Sequence, residues 1–176
     1  MKAKDIAKIA LFVAILTISA YLTVPFLIPF TMQTFAVFFA CFMLGGLKAS
    51  IAVAIYILLG AAGVPVFSGF KGGMGAILGP TGGYIVGFVV STLLYAAVTA
   101  TLGDKAWVKV FAAVMGLAFL YAFGSLWFAF GYSAGGAGSL GVILLKCVVP
   151  YIVPDLAKIS LAYFVAYRVK KLVPAV

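Results

Sequence analysis

The sequence predicts an all-α integral membrane protein: six transmembrane helices, with a glycine-rich outer loop between helices 3 and 4, folded as one domain over residues 1–176. Two observations carry this. Hydrophobic residues make up 66% of the chain and charged residues 9%, far from the half-apolar, quarter-charged balance of soluble domains. The apolar residues also fall in long runs and not in the ten-residue alternating segments of a β-barrel, so in lipid they satisfy their own backbone as helices. The first run is long enough to span and carries no A-x-A-like cleavage site, so it is expected to stay in the bilayer as an anchor.

Proline and glycine punctuate the chain. A first helix is expected over residues 6–24, stopped by Pro25, with Pro29, Thr31, Gln33 and Thr34 in the link that follows. The second, residues 35–44, is short against the ~20 residues of a full crossing unless the approach from Phe30 contributes. A turn at residues 45–48 leads to the third, residues 49–62. Then comes GVPVFSGFKGGMGAILGPTGGY, residues 63–84. Its glycines permit positive φ, and Pro65 and Pro80 block helix continuation at both ends. The stretch is too apolar for disorder, and structureless loops of this length are mostly binding loops or lids, so a folded lid or re-entrant segment is expected. The fourth helix covers residues 84–102, the fifth 107–130 and the sixth 142–169, joined by a polar turn at 103–105 and a Gly/Ser-rich link at 131–141.

Charge assigns the sides. A net charge of +9 in a soluble protein would point to nucleic acid, but here the basic residues sit at chain ends and in short turns. Lys2, Lys4, Lys8, Lys48, Lys105, Lys109, Arg168, Lys170 and Lys171 gather on one side, against Lys71 and Lys146 on the other. Cytoplasmic loops carry the lysine and arginine excess. Both termini are therefore expected in the cytoplasm, the protein in the plasma (inner) membrane, and the three elaborate links, the glycine loop among them, on the outer face. Partners are the bilayer and something captured from outside, not nucleic acid. No internal repeat of the inverted-transporter kind is visible. With no histidine and two cysteines, Cys41 and Cys147, neither a metal site, a cofactor nor histidine-based catalysis is expected, and the protein reads as no enzyme.

Polar chemistry inside the apolar runs is sparse. Asp5 opens the first helix and Asp104 lies in a polar turn, whereas Asp155 falls within VVPYIVPDLAKISLAYF, where an ionised group costs roughly 2.5–3.5 kcal/mol or more unless paired or wetted. Lys158 follows three residues later, on the same helix face. The two either form a structural ion pair that fixes helix packing or point together into a polar ligand cavity. In the second case Asp155 accepts from N–H groups such as those of a urea, and Lys158 donates to a carbonyl or carboxylate. Tyr151 stands one turn before Asp155 and would line the same cavity. Tyr84, Gly87 and Ser91 share a face of the fourth helix, with Tyr84 open to a second reading as an interfacial belt residue. Lys71 is either a solvated loop charge or an anion clamp, and Gln33 either a turn residue or a ligand contact. Ala3/Ala7 and Ala10/Ala14 form two small-xxx-small pairs suited to close helix approach, within the protein or against another.

The GVPVF opening and GPTGGY close of the glycine loop, PFTMQTF at residues 29–35 and P-D-L-x-K at residues 154–158 occur in this order, and together they resemble the BioY family, the biotin-specific S (substrate-binding) subunits of energy-coupling-factor (ECF) transporters. The resemblance covers nearly the whole chain. It implies a six-helix protein that captures biotin at the outer face, joined to a transmembrane coupling subunit (T component) and a pair of cytoplasmic ATPases (A components) that drive uptake by toppling the S subunit. This chain has no P-loop, in keeping with that division of labour. The resemblance further implies Asp155 and Lys158 as polar ligand contacts. It places docking on the coupling subunit at Ala10 and Ala14, or at Ala3 and Ala7. Biotin offers a ureido ring that suits Asp155 and a valerate carboxylate that suits a lysine. An S subunit for a different vitamin, and a structural membrane protein with a packing ion pair, remain the alternatives.

Overall fold

Proline shapes the segment after the first helix in the computed structural model, which describes residues 2–26, 28–132 and 140–172. Helix α1 spans Ala3–Tyr21. It stops before the expected residue 24 because Pro25 holds its predecessor extended. Thr23–Val24 (β1) pairs antiparallel with Phe30–Thr31 (β2), Thr23 opposite Thr31 and Val24 opposite Phe30. The proline-containing link is thus a small hairpin. Helix α2, Gln33–Leu44, starts two residues earlier than expected, which moves Gln33 and Thr34 from the link into its first turn. Gly45 at φ 81° then separates it from α3, Gly46–Ala61.

The glycine stretch is neither a plain loop nor a continuous helix. Gly60 accepts from the Gly73 N–H at 2.6 Å, and Phe67 donates its N–H to the Lys71 carbonyl at 2.9 Å. A single-turn helix α4 follows at Met74–Ile77. Phe70 adopts φ 57°, a conformation that costs an ordinary residue about 1–2 kcal/mol. Its ring stacks on Tyr21 at 4.3 Å, while the Tyr21 hydroxyl donates to the Pro65 carbonyl at 2.7 Å, so the end of α1 holds the strained turn.

Helix α5, Gly82–Leu102, packs most extensively on α6, Ala106–Tyr132. Glycines permit the approach: a Cβ on Gly83 would lie 2.3 Å from Trp127 Cβ, and one on Gly124 would lie 2.4 Å from the Tyr84 ring. The expected last helix is two, α7 at Leu140–Cys147 and α8 at Val149–Leu172. Pro150 has no N–H for the Lys146 carbonyl, and the run breaks at Val148. Most of the link expected at residues 131–141 lies outside the described residues.

The described residues form eight helices, the single-turn α4 among them. Three of them, α5, α6 and α8, are long and apolar enough to cross a membrane, and the chain is a multi-pass membrane protein. Helix α1 has the length but carries Lys4, Asp5 and Lys8 in its first two turns, and α2 and α3 are shorter apolar helices. Helix α2 is the centre of the bundle, touching α1, α3, α5 and α8, with Ala36, Val37, Phe38, Ala40 and Cys41 buried. Lys48 reaches Asp5 at 2.6 Å, placing the start of α1 and the α2–α3 turn at one end.

Gly83→Ala should lower the thermal midpoint of the detergent-purified protein, through an overpacking cost of roughly 1–3 kcal/mol. Gly75→Ala, whose Cβ meets nothing within 4 Å, should leave it within about 0.5 kcal/mol of the parent.

Candidate functional site

A cavity of about 400 Å³ lies where the hairpin, the glycine stretch and helices α2, α5, α6, α7 and α8 converge. Its size falls in the range of small-molecule sites. Each segment contributes for a local reason. Pro29 and the β2 pairing bring Phe30 and Thr31 over the start of α2. The turn at residues 67–73 presents Lys71. Pro154 leaves the Pro150 carbonyl without its helical donor, at the turn of α8 that carries Tyr151 and Asp155.

The polar core of the cavity is one connected network. Lys158 donates from Nζ to Asp155 Oδ1 at 2.8 Å and to the Thr31 carbonyl at 2.6 Å, and stands 3.7 Å from the centroid of the Phe30 ring. Tyr121 donates its hydroxyl to the second oxygen, Asp155 Oδ2, at 2.8 Å. Asp155 and Lys158 are 4% and 7% exposed, so the pair is screened from bulk solvent. Such a pair is tolerable at this depth because each charge has both an opposite charge and further hydrogen bonds. Two of the three Lys158 N–H groups and about half the lone pairs of Asp155 are engaged, which leaves donor and acceptor capacity. Tyr151 donates its hydroxyl to the Ile28 carbonyl, tying α8 to the hairpin. Gln33 is buried, donates from Nε2 to the Tyr56 hydroxyl at 2.9 Å, and accepts from Thr31 Oγ1 at 3.3 Å. Tyr56 donates its hydroxyl to the Val66 carbonyl at 3.0 Å, linking this corner to the glycine stretch.

Of the residues singled out from sequence, Asp155, Lys158, Lys71, Gln33, Tyr84 and Tyr151 all line this cavity. Tyr84 is buried with its hydroxyl 3.3 Å from Ser125 Oγ, so the interfacial-belt reading gives way. Lys71 is exposed and lies at the mouth. Ser91 is a correction. It is fully buried two turns below Tyr84, where α5 and α6 close on each other, and its hydroxyl lies 2.8 Å from both the Gly87 and Gly116 carbonyls. It pins two helices and does not face the cavity. Ala3, Ala7, Ala10 and Ala14 are all exposed, so packing within this chain does not account for them.

Sequence reasoning passed over Tyr121, Phe30 and Thr31. Phe30 and the Thr31 carbonyl carry no chemical flag, since one is an apolar ring among many and the other is backbone. Tyr121 does carry one. It lies near the middle of α6, away from the ends where belt tyrosines collect, and a mid-span hydroxyl needs a buried partner.

A helical bundle in lipid that walls a connected polar cluster into an aromatic cavity defines a membrane protein equipped to enclose a small polar molecule. The BioY family model matches residues 1–175, and the chain belongs to the BioY family. It is 39% identical over 171 residues to the probable biotin transporter BioY of Pyrococcus horikoshii, covering 97% of this chain and 98% of that one. It is 36% identical to the biotin transporter BioY of Thermotoga maritima, covering 96% and 97% respectively. A crystal structure of the S-component for biotin from an ECF-type ABC transporter superposes with a TM-score of 0.86 over 97% of this chain and 95% of that one, at 23% identity, and shares its fold. The family is one of transport proteins, not enzymes.

Lys158→Met should destabilise the purified protein by roughly 3–5 kcal/mol, because it strands the Asp155 charge. Combining it with Asp155→Asn should recover most of that loss, as read by thermal unfolding of the single and double variants.

Proposed function

We propose that this chain is the biotin-binding S component of an ATP-driven, ECF-type vitamin importer. The observation that carries the reading is the Tyr121–Asp155–Lys158 network at the wall of a cavity sized for a vitamin, in a chain whose relatives over almost its full length are named biotin transporters. The ureido ring supplies two N–H donors and a carbonyl. Asp155 accepts from the ring N–H groups with its remaining lone pairs, and the uncommitted N–H of Lys158 donates to the ureido carbonyl. Phe30, Phe67 and Phe88 enclose the apolar bicycle. Gln33, Tyr84 and Tyr151 shape the polar and aromatic walls around it.

The valerate carboxylate falls to Lys71. Lys158 is already held by Asp155, Thr31 and the Phe30 ring, whereas Lys71 stands at the mouth with no ion pair to a described residue. Residues 63–81 act as the lid, pinned by Tyr21 on one side and, through the Gly79 carbonyl, by Trp127 Nε1 at 3.1 Å on the other. The six spans are α1, α2, α3, α5, α6 and α8, with α2 and α3 about 18 and 24 Å long at 1.5 Å per residue. Lysine asymmetry puts both termini in the cytoplasm and the lid outside. The exposed alanine face of α1, with Ala10 and Ala14 at its centre and Ala3 and Ala7 below, docks on a transmembrane coupling subunit. A pair of cytoplasmic ATPases drives the cycle, since this chain has no nucleotide-binding loop of its own.

Mass spectrometry of the small molecule released on denaturing the purified protein should show biotin; another vitamin would redirect the reading to a different cargo. Asp155→Asn should weaken biotin binding about tenfold to a hundredfold, the worth of hydrogen bonds to a charged acceptor. Unchanged affinity would remove Asp155 from the site and return the ion pair to a packing role.

Lys71→Gln should weaken biotin but leave biotinamide, which lacks the carboxylate charge, at parental affinity. Titration calorimetry with both ligands separates this from a general disturbance of the lid, which would weaken the two alike.

A further inference from the structure

A second concavity backs onto the ligand cavity. It is a groove of about 580 Å³ lined by Phe26, Phe30, Leu145, Lys146, Pro150, Tyr151 and Pro154. Phe30 and Tyr151 line both spaces, their ring centroids 6.1 Å apart, so these two side chains stand between them. The face of that pair turned away from the ligand cavity is open among the described residues. Apart from Lys146 the lining carries no charge among the described residues, and Phe26 and Leu145 are 65% and 63% exposed at its rim.

We propose that this groove holds one acyl chain of an anionic phospholipid, with the lipid phosphate on Lys146. Three features commit it to that occupant. The protein is a multi-pass membrane protein, so lipid acyl chains are among the occupants available to an exposed apolar groove. It lies at the start of α8, the end opposite Lys170 and Lys171, so it sits at the height of one interface. The charge is distributed as a phospholipid's is. Lys146 closes α7, while Pro150 and Pro154 line a purely apolar floor that runs on along α8 for about 6 Å between them. The break at Val148 separates α7 from α8 beside these prolines. A basic residue at the interface favours an anionic headgroup by about fivefold. The chain end then fills the space behind the wall that carries Phe30, and with it the seat of Lys158.

The test uses the whole protein extracted in mild detergent, delipidated, exchanged into nanodiscs of phosphatidylcholine with or without phosphatidylglycerol, and examined by native mass spectrometry for retained lipid, with no vitamin present. The parent protein should keep one phosphatidylglycerol. Lys146→Gln should lose the roughly fivefold preference over phosphatidylcholine, and Leu145→Trp, which fills the groove from an exposed position, should lose retention of both. Leu161→Trp, exposed on α8 away from the groove, should behave as the parent. Equal retention across all four proteins would overturn the proposal. So would a Leu145→Trp variant that keeps its lipid but loses binding of N-alkyl biotinamides, because the groove would then be an extension of the ligand site. As lipid retention is read without vitamin, failure here is separate from failure of the biotin reading.

Discussion

A carboxylate and an ammonium 2.8 Å apart, both more than nine-tenths buried, set the terms for the whole of this molecule. In lipid neither charge survives alone, and their mutual attraction repays desolvation only when the remaining valences are met. The fold meets them from three separate parts of the chain: the hydroxyl of Tyr121 on α6, the carbonyl of Thr31 on β2 and the face of the Phe30 ring. Helix α8 therefore cannot hold this pair without the hairpin on one side and α6 on the other. The cavity is the space these partners leave between them.

The same logic explains why the irregular segments sit where they do. Non-helical backbone in a membrane protein is tolerated where it is buried in protein or lines a cavity. The hairpin and the glycine stretch both line this one, and both are tied to helices by hydroxyl and indole groups reaching backbone carbonyls. Tyr21 reaches Pro65, Tyr56 reaches Val66, Trp127 reaches Gly79, Tyr132 reaches Leu78 and Tyr151 reaches Ile28. Aromatic residues with one polar atom suit the task, since the ring packs in the bundle while its tip satisfies a carbonyl the loop cannot satisfy itself.

Much of the site was legible in the residues. An aspartate and a lysine three apart in an apolar run stand out because intramembrane charge is costly, and the glycine stretch stands out because glycine and proline are strong punctuation. Both mark the cavity. Ser91 shows where that reasoning stops. Helical periodicity places it on the face of Tyr84, but periodicity gives an angle around the axis and not the depth at which a neighbouring helix closes in. At that depth α6 is already in contact, because glycines at 83, 87, 116 and 124 let it approach. The proline at 150 was visible too, yet its effect on the last helix depended on whether α7 and α8 could each find separate packing.

Composition determined that this chain lives in a membrane, and the long apolar runs determined that it does so as helices, since a barrel would need short alternating segments. Spacing determined that Asp155 and Lys158 share a face. What only the tertiary structure decided is which groups complete them. Thr31 is a backbone carbonyl, Phe30 an ordinary ring and Tyr121 a hydroxyl 34 residues from its acceptor, and such partners are chosen by how α8, α6 and the hairpin pack, not by any local pattern. Hydrophobic periodicity encodes which side of a helix is covered. The identity of the atom that covers it is a property of the packed bundle.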